Sequence, residues 1–358
     1  MRKTLLFCFI LFSISIHAQK VRKYSNEFLN IGVDAAALGM ANSVTATTNN
    51  VNAAYWNPAG LLHLEDKQLA LMHASYFANI AQYDYAAFAM PVDEKSAVAL
   101  SIIRFGVDDI MNTTELIDQN GNINYDKISL FSAADYAFTA SYARKTRVEG
   151  LNWGVNAKVV RRVIGKFANS WGFGFDLGAQ YQVASGWKFG AMARDITTTY
   201  NMWSINKKEF DKISQAIPGE NNELPETSEI TLPKLQLGAA KTFSFNQDFS
   251  VQTAIGLHVE FAETKALIAT KGFSLYPSLG VEFAYTDMVF VRGGIGNFQQ
   301  TEQLEGGEKI GFQPNVGVGF HYKGIQVDYA LTDIGDQSVA LYSNVFSLKL
   351  DLGIFSRK

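Results

Sequence analysis

The sequence of 358 residues predicts an all-β fold, a transmembrane antiparallel β-barrel of about 14 strands preceded by an amino-terminal hatch or plug segment. Three observations point there. Behind a short apolar leader, no apolar run is long enough to cross a bilayer as a helix, although 47% of the residues are hydrophobic and 13% aromatic. From residue 66 onward, apolar residues alternate with small or polar ones in segments of about ten residues, the period of a strand with one apolar and one polar face. Short and long connections alternate between these segments, as in a barrel with turns on one rim and loops on the other.

The leader comes first. Arg2 and Lys3 precede an almost unbroken apolar run from Leu5 to Ile16, and Ser15-Ile16-His17-Ala18 ends in a small residue, the form of a secretory signal cleaved after Ala18. At about a dozen residues the run is too short for a spanning helix, which needs roughly 20. Cys8, the only cysteine, lies inside this run behind bulky Phe7 and leaves with it, so the mature chain has no thiol for disulfides or metal ligation. Loss of Arg2 and Lys3 takes the formal net charge from −3 to −5, which argues against nucleic acid as a partner.

Residues 19–65 lack strand periodicity. They hold the small-residue stretch Ile31 to Ala41, a polar stretch from Thr45 to Asn52, and then Ala53-Ala54-Tyr55-Trp56-Asn57-Pro58-Ala59-Gly60-Leu61. Small residues let backbones approach closely, so the segment suits a compact plug inside the barrel mouth; an ordinary periplasmic extension with an Asn-Pro turn fits equally.

The strands follow, in segments 66–77, 81–91, 96–106, 134–145, 151–163, 171–183, 186–196, 233–243, 249–261, 274–286, 288–297, 312–322, 324–332 and 344–355. The clearest puts Phe173, Phe175, Leu177, Ala179 and Tyr181 on a lipid face and Gly172, Gly174, Asp176, Gly178 and Gln180 on a lumen face. Val316, Val318 and Phe320 alternate in the same way with Gly317, Gly319 and His321, and Val327 and Tyr329 with Gln326 and Asp328. Short turns at 92–95, 146–150, 184–185, 244–248, 286–288 and 322–324 are assigned to the periplasmic rim; the long loops 107–133, 164–170, 197–232, 262–273, 298–311 and 333–343 are assigned to the outside. The last segment carries Phe346, Leu348, Leu350, Leu352 and Ile354 on one face and reaches Phe355, which resembles the carboxy-terminal signal of barrel assembly, although three residues follow the aromatic.

The stretch from Phe28 to Leu61, with Ile-Gly-Val-Asp-Ala-Ala-Ala-Leu-Gly-Met-Ala followed by Tyr55, Trp56, Asn57, Pro58, Ala59, Gly60 and Leu61, resembles the amino-terminal signature of the PorV/PorQ family, within the wider group of FadL-like barrels. Asp34 and Ala41 stand where that pattern usually has Gly. The resemblance implies a fourteen-stranded barrel with an amino-terminal hatch. It also implies a role in type IX secretion, with the translocon and other secretion or cell-surface proteins as partners.

Nothing in the sequence marks an enzyme. There is no Gly-x-Ser-x-Gly elbow, and His63, His73, His258 and His321 lack the spacing of a metal site, so neither catalytic residues nor a metal or cofactor is expected. Asp108-Asp109 offers too few spaced oxygens for a calcium loop. On the lumen face, Lys158, Arg194, Arg292 and Lys349 confront Asp176, Glu260, Glu282, Asp328 and Asp351. They could line a polar path, but buried charges persist chiefly when paired, which favours mutual pairing.

Loop 197–232 is the candidate partner surface, with Trp203, Phe210 and Ile213 as apolar anchors and an amphipathic helix expected over Ser204 to Ala216; a cap folded over the barrel's own mouth is the other possibility. Two functions fit: a non-enzymatic secretion component that docks proteins through external loops, or a passive transporter of hydrophobic small molecules. A transporter needs an apolar pocket near the external mouth and a way onward, whereas a docking barrel can be sealed.

Overall fold

In the computed structural model, residues 25–117, 121–216, 226–302, 308–332 and 343–356 are described; the leader and residues 19–24 lie outside them. The strands of the barrel are β1 (Gln68–Tyr76), β2 (Ala81–Asp93), β3 (Ser96–Asn112), β4 (Ser129–Lys145), β5 (Leu151–Ile164), β6 (Ala168–Gln182), β7 (Trp187–Arg194), β8 (Lys234–Ser244), β9 (Phe249–Glu260), β10 (Ser274–Tyr285), β11 (Val289–Glu302), β12 (Glu308–Tyr322), β13 (Ile325–Thr332) and β14 (Ser343–Asp351). Each pairs antiparallel with its sequence neighbour, and β1 closes on β14 with Gln68 opposite Asp351, so no edge is left unpaired. All fourteen correspond to the segments read from periodicity. The lipid face is also as expected: on β6, Trp171, Phe173, Phe175, Leu177 and Tyr181 are exposed, while Gly172, Gly174, Asp176, Gly178 and Gln180 are buried inside. A belt of exposed aromatic and aliphatic side chains recurs round the barrel, at Phe283, Val291, Val318, Phe320 and Phe346, and is a surface that only a bilayer covers favourably. The chain is an outer-membrane β-barrel.

Three expectations need correction. Strands β3, β4, β5 and β6 run past the expected ends, so loop 107–133 shrinks and 164–170 becomes a tight turn at 165–167. Beyond the lipid belt both strand faces meet water or other loops, so alternation fades although the hydrogen-bonded ladder continues. Loop 197–232 likewise contains two short strands, Thr199–Ile205 and Ser228–Thr231, the first pairing with the projecting end of β6, and a helix at Lys207–Ala216. Last, the final strand ends at Asp351 and Leu352–Ser356 is a short helix, because β1 begins opposite Asp351 and β13 opposite Leu350, leaving no ladder partner further on.

The lumen is filled by residues 25–65. This hatch consists of a 3-10 turn at Glu27–Asn30, helix α1 (Ala35–Gly39), helix α2 (Ala53–Trp56) and a 3-10 turn at Pro58–His63. Its entry lies among the long loops, where Asn26 Nδ2 donates to Thr231 Oγ1 (2.9 Å), and its exit joins β1 on the rim of short turns. Towards β1–β4 it packs on Met72, Tyr83, Tyr85, Ala99 and Ile103. The lumen face there is apolar rather than polar, since the hatch and not water covers it.

Candidate functional site: the hatch and the cavity beside it

Asn57 organises the hatch motif. Its Oδ1 accepts from the Ala59 backbone N (3.3 Å), capping the turn that Pro58 begins, while its Nδ2 donates to the carbonyls of Thr45 (3.0 Å) and Ala179 (2.9 Å), which ties the hatch to the wall. Gly60 is required because a Cβ there would collide with the Thr48 carbonyl oxygen. Tyr55 donates its hydroxyl to the Leu29 carbonyl (2.6 Å) and Trp56 donates Nε1 to that of Val33 (3.0 Å), so both rings brace the chain entering α1. The last carbonyls of α2 receive donors from the wall: Asn156 Nδ2 to Ala54 (3.0 Å) and Arg194 Nη2 to Tyr55 (2.9 Å), with the guanidinium 4.2 Å from the Tyr55 ring centre.

Across β5–β12 the hatch backbone lies against strand backbone. Gly154, Gly178, Gly190, Gly238, Gly280 and Gly294 face inward on β5, β6, β7, β8, β10 and β11, and a Cβ at Gly154 would lie 2.7 Å from the Pro58 carbonyl carbon, one at Gly280 2.7 Å from the Met40 oxygen. Opposite register partners are often both glycine, as in Gly154–Gly178, Gly190–Gly238 and Gly280–Gly294. Asp34 and Ala41 hold positive φ, 74° and 49°, the backbone region that glycine enters freely. Asp34 offsets the strain by accepting from Ala36 N (3.2 Å) and Ser347 Oγ (3.2 Å); burial pushes its carboxyl above the usual carboxylate range.

The lumen charges are paired in part: Lys158 and Arg292 meet carboxylates, whereas Arg194 donates to Gln236 Oε1 and the Tyr55 carbonyl. Lys158 Nζ lies 2.7 Å from both Asp176 Oδ1 and Asp195 Oδ1, Arg292 bridges Glu282 and Asp328 (2.6 Å), and Asp351 accepts from Gln68 Nε2 (3.1 Å). Glu260 pairs with Lys234 (3.2 Å), which also approaches Glu27 of the hatch (3.4 Å). Asp195 and Lys234 escape a periodicity reading because they stand at strand ends, where the faces are no longer distinguished by composition.

At the mouth, the short hairpin of loop 197–232 folds over the hatch entry. Arg162 on β5 joins Asp135 Oδ1 (2.9 Å) and Glu229 Oε2 (3.1 Å), and Ser25 Oγ donates to Glu229 Oε2 (3.0 Å). Trp203 is half-buried with its ring 5.2 Å from the Arg162 guanidinium, turned to the barrel's own mouth. Phe210 is half-buried on the helix, and the Ile213 side chain lies outside the described residues. His73 faces outward beside Asp84 (2.7 Å), and His258 stands in the lumen beside Glu260 (3.4 Å).

Between hatch and wall, open on the loop side, is a cavity of about 780 Å³. Ile31, Leu38, Trp56, Tyr76 and Phe105 form one side of it, and polar side chains of β8–β12 the other. A second cavity of about 310 Å³ lies towards the short-turn rim, among Met40, Val44, Arg292 and Asp328. Trp56 borders both, and the segment from Leu38 to Thr48 separates them.

No protein-family model matches this chain, and no curated protein is significantly similar to it. Solved structures share its fold. A Pseudomonas putida toluene transporter, TodX, is 12% identical over 89% of this chain and 98% of its own, with a TM-score of 0.55. CymD, a monoaromatic hydrocarbon channel, is 13% identical over 89% and 97%, with a TM-score of 0.51. A Pseudomonas aeruginosa FadL homologue is 14% identical over 89% and 98%, with a TM-score of 0.50. The fold is therefore FadL-like.

Proposed function

We propose that this protein is a passive, non-enzymatic conduit that takes up small molecules bearing apolar surface from outside the cell. The observation that carries the proposal is the cavity of about 780 Å³ at the external mouth, within the size range of small-molecule sites and bounded by Trp56, Tyr76 and Phe105. The hydrocarbon transport named for the neighbours of the same fold supports it. Onward movement requires the segment from Leu38 to Thr48 to shift, because it divides the outer cavity from the inner one. The test is flux of benzyl alcohol into vesicles with a lipopolysaccharide outer leaflet. Flux should exceed that of protein-free vesicles and fall when Phe105→Cys is labelled with a bulky maleimide, a site-selective reaction if the mature chain begins after Cys8. Flux equal to that of protein-free vesicles sinks the proposal.

A second reading is favoured by one observation: the glycine-seated hatch closes the lumen between the two cavities. In that case the barrel serves protein docking in type IX secretion, as the resemblance of Phe28 to Leu61 implies, with the helix Lys207–Ala216, which carries Phe210 and Ile213, as the contact region. Deleting residues 207–216 would then leave a heat-modifiable barrel but reduce recovery of the translocon or other secretion proteins; unchanged recovery removes this reading.

A further inference from the structure

The outer cavity is not lined as a site for a bare hydrocarbon or a fatty-acid anion. One side is apolar, but the facing side on β11 and β12 is a relay of carboxamides: Gln299 Nε2 donates to Asn297 Oδ1 (2.7 Å), Asn297 Nδ2 to Gln313 Oε1 (3.0 Å), and Asn315 Nδ2 to the Gln313 carbonyl (3.3 Å). Gln236 on β8 is held in a similar way, accepting from Arg194 Nε (3.0 Å) and lying 3.3 Å from His258 Nδ1. A carboxamide offers two donors and two acceptor positions, and the bonds of Gln299, Asn315 and Gln236 use only part of that capacity. The relay fixes the amide planes and leaves the array able to bond a guest.

Charge narrows the guest further. Among the described residues lining the cavity there is no Lys or Arg; the charged ones are Glu27 and Glu260, with Lys234 held between them at 3.4 and 3.2 Å. A carboxylate or phosphate would therefore face two carboxylates whose shared cation is already engaged, and a hydrocarbon would strip water from the amides and return no partner. A neutral guest with an apolar face and several hydroxyl or amide groups satisfies both sides at once, its face on Trp56 and Tyr76 and its polar edge on Gln299, Asn315 and Gln236. Resting on the conduit reading above, we infer that the substrate class of this cavity is neutral and amphiphilic, such as a small aryl glycoside.

The experiment is calorimetric binding to the full-length barrel in nanodiscs, with phenyl glucoside, toluene and benzoate as probes, alongside the benzyl alcohol flux assay. Phenyl glucoside should bind at least about tenfold more tightly than either other probe, the worth of roughly one lost hydrogen-bond partner. In Gln313→Met with Asn315→Leu, its affinity should fall by about tenfold or more while that of toluene does not fall. Should the double variant fail to fold, the ranking of the three probes on the unaltered protein decides. Toluene or benzoate binding as tightly as the glucoside, with benzyl alcohol flux intact, overturns the assigned class and leaves the conduit standing. If no probe binds and no flux is seen, the conduit reading fails and this inference with it.

Discussion

The hatch rests on two unlike walls. Against β1–β4 it meets side chains, Met72, Tyr83, Tyr85 and Ile103, in a continuous apolar core. Against β5–β12 it meets backbone, through inward glycines, and is pinned at intervals by buried polar groups such as Asn156, Arg194 and the Lys158 cluster. The first contact is non-directional and can adjust by small movements of side chains. The second is a close steric fit with oriented donors, in which an added atom has nowhere to go. The outer cavity spans the two walls, from Tyr76 and Phe105 on the first to polar side chains such as Gln236 and Asn315 on the second, and the inner one lies beside Arg292 and Asp328.

Substitutions on the two walls should therefore differ in size. The largest effect is expected from Lys158→Met, which leaves Asp176 and Asp195 buried without their cation; urea titration of the vesicle-reconstituted barrel should show a loss of about 3–5 kcal/mol. A loss under about 1 kcal/mol would mean that water already reaches the cluster. Next comes Gly190→Val, whose side chain meets the Thr45 carbonyl and the Ala46 backbone. It should cost about 1–3 kcal/mol and make the hatch accessible to protease, and a hatch still protected in this variant would break the contrast between the walls. The smallest effect belongs to the apolar wall, where Ile103→Val should cost about 0.5–1.5 kcal/mol without exposing the hatch. Protease cleavage of the hatch in that variant would show the two seats to be equally tight.

Much of this was legible in the chain. A period of two survives wherever one face meets lipid and the other the lumen, so all fourteen strands follow from patterning, and beyond β4 their inward and outward residues follow too, as Phe173, Phe175 and Leu177 against Gly174, Asp176 and Gly178 illustrate; on β2 the faces do not follow, since Tyr83 and Tyr85 are buried against the hatch while Gln82 and Asp84 lie on the other face. Pairing of Lys158 and Arg292 with lumen carboxylates also followed, from the cost of burying a charge alone, whereas the neutral acceptors of Arg194 did not. Strand ends did not. Val107 to Asn112 continue β3 although their two faces are no longer distinguished by composition, and Leu352 to Phe355 read as strand although they are helical.

The sequence by itself thus determined the barrel, its register towards lipid and the departure of residues 19–65 from strand periodicity, because these depend on repeats that each strand carries locally. Tertiary structure decided the rest. Which glycines receive the hatch, that Asn57 reaches the Ala179 carbonyl across 122 positions of sequence, that Asp195 and Lys234 complete ion clusters, and that Trp203 turns to Arg162 are all set by strands distant in the chain meeting in one closed lumen. The outer cavity is of the same kind: Trp56, Gln236 and Asn315 acquire a common purpose only when closure brings three separate segments around one space.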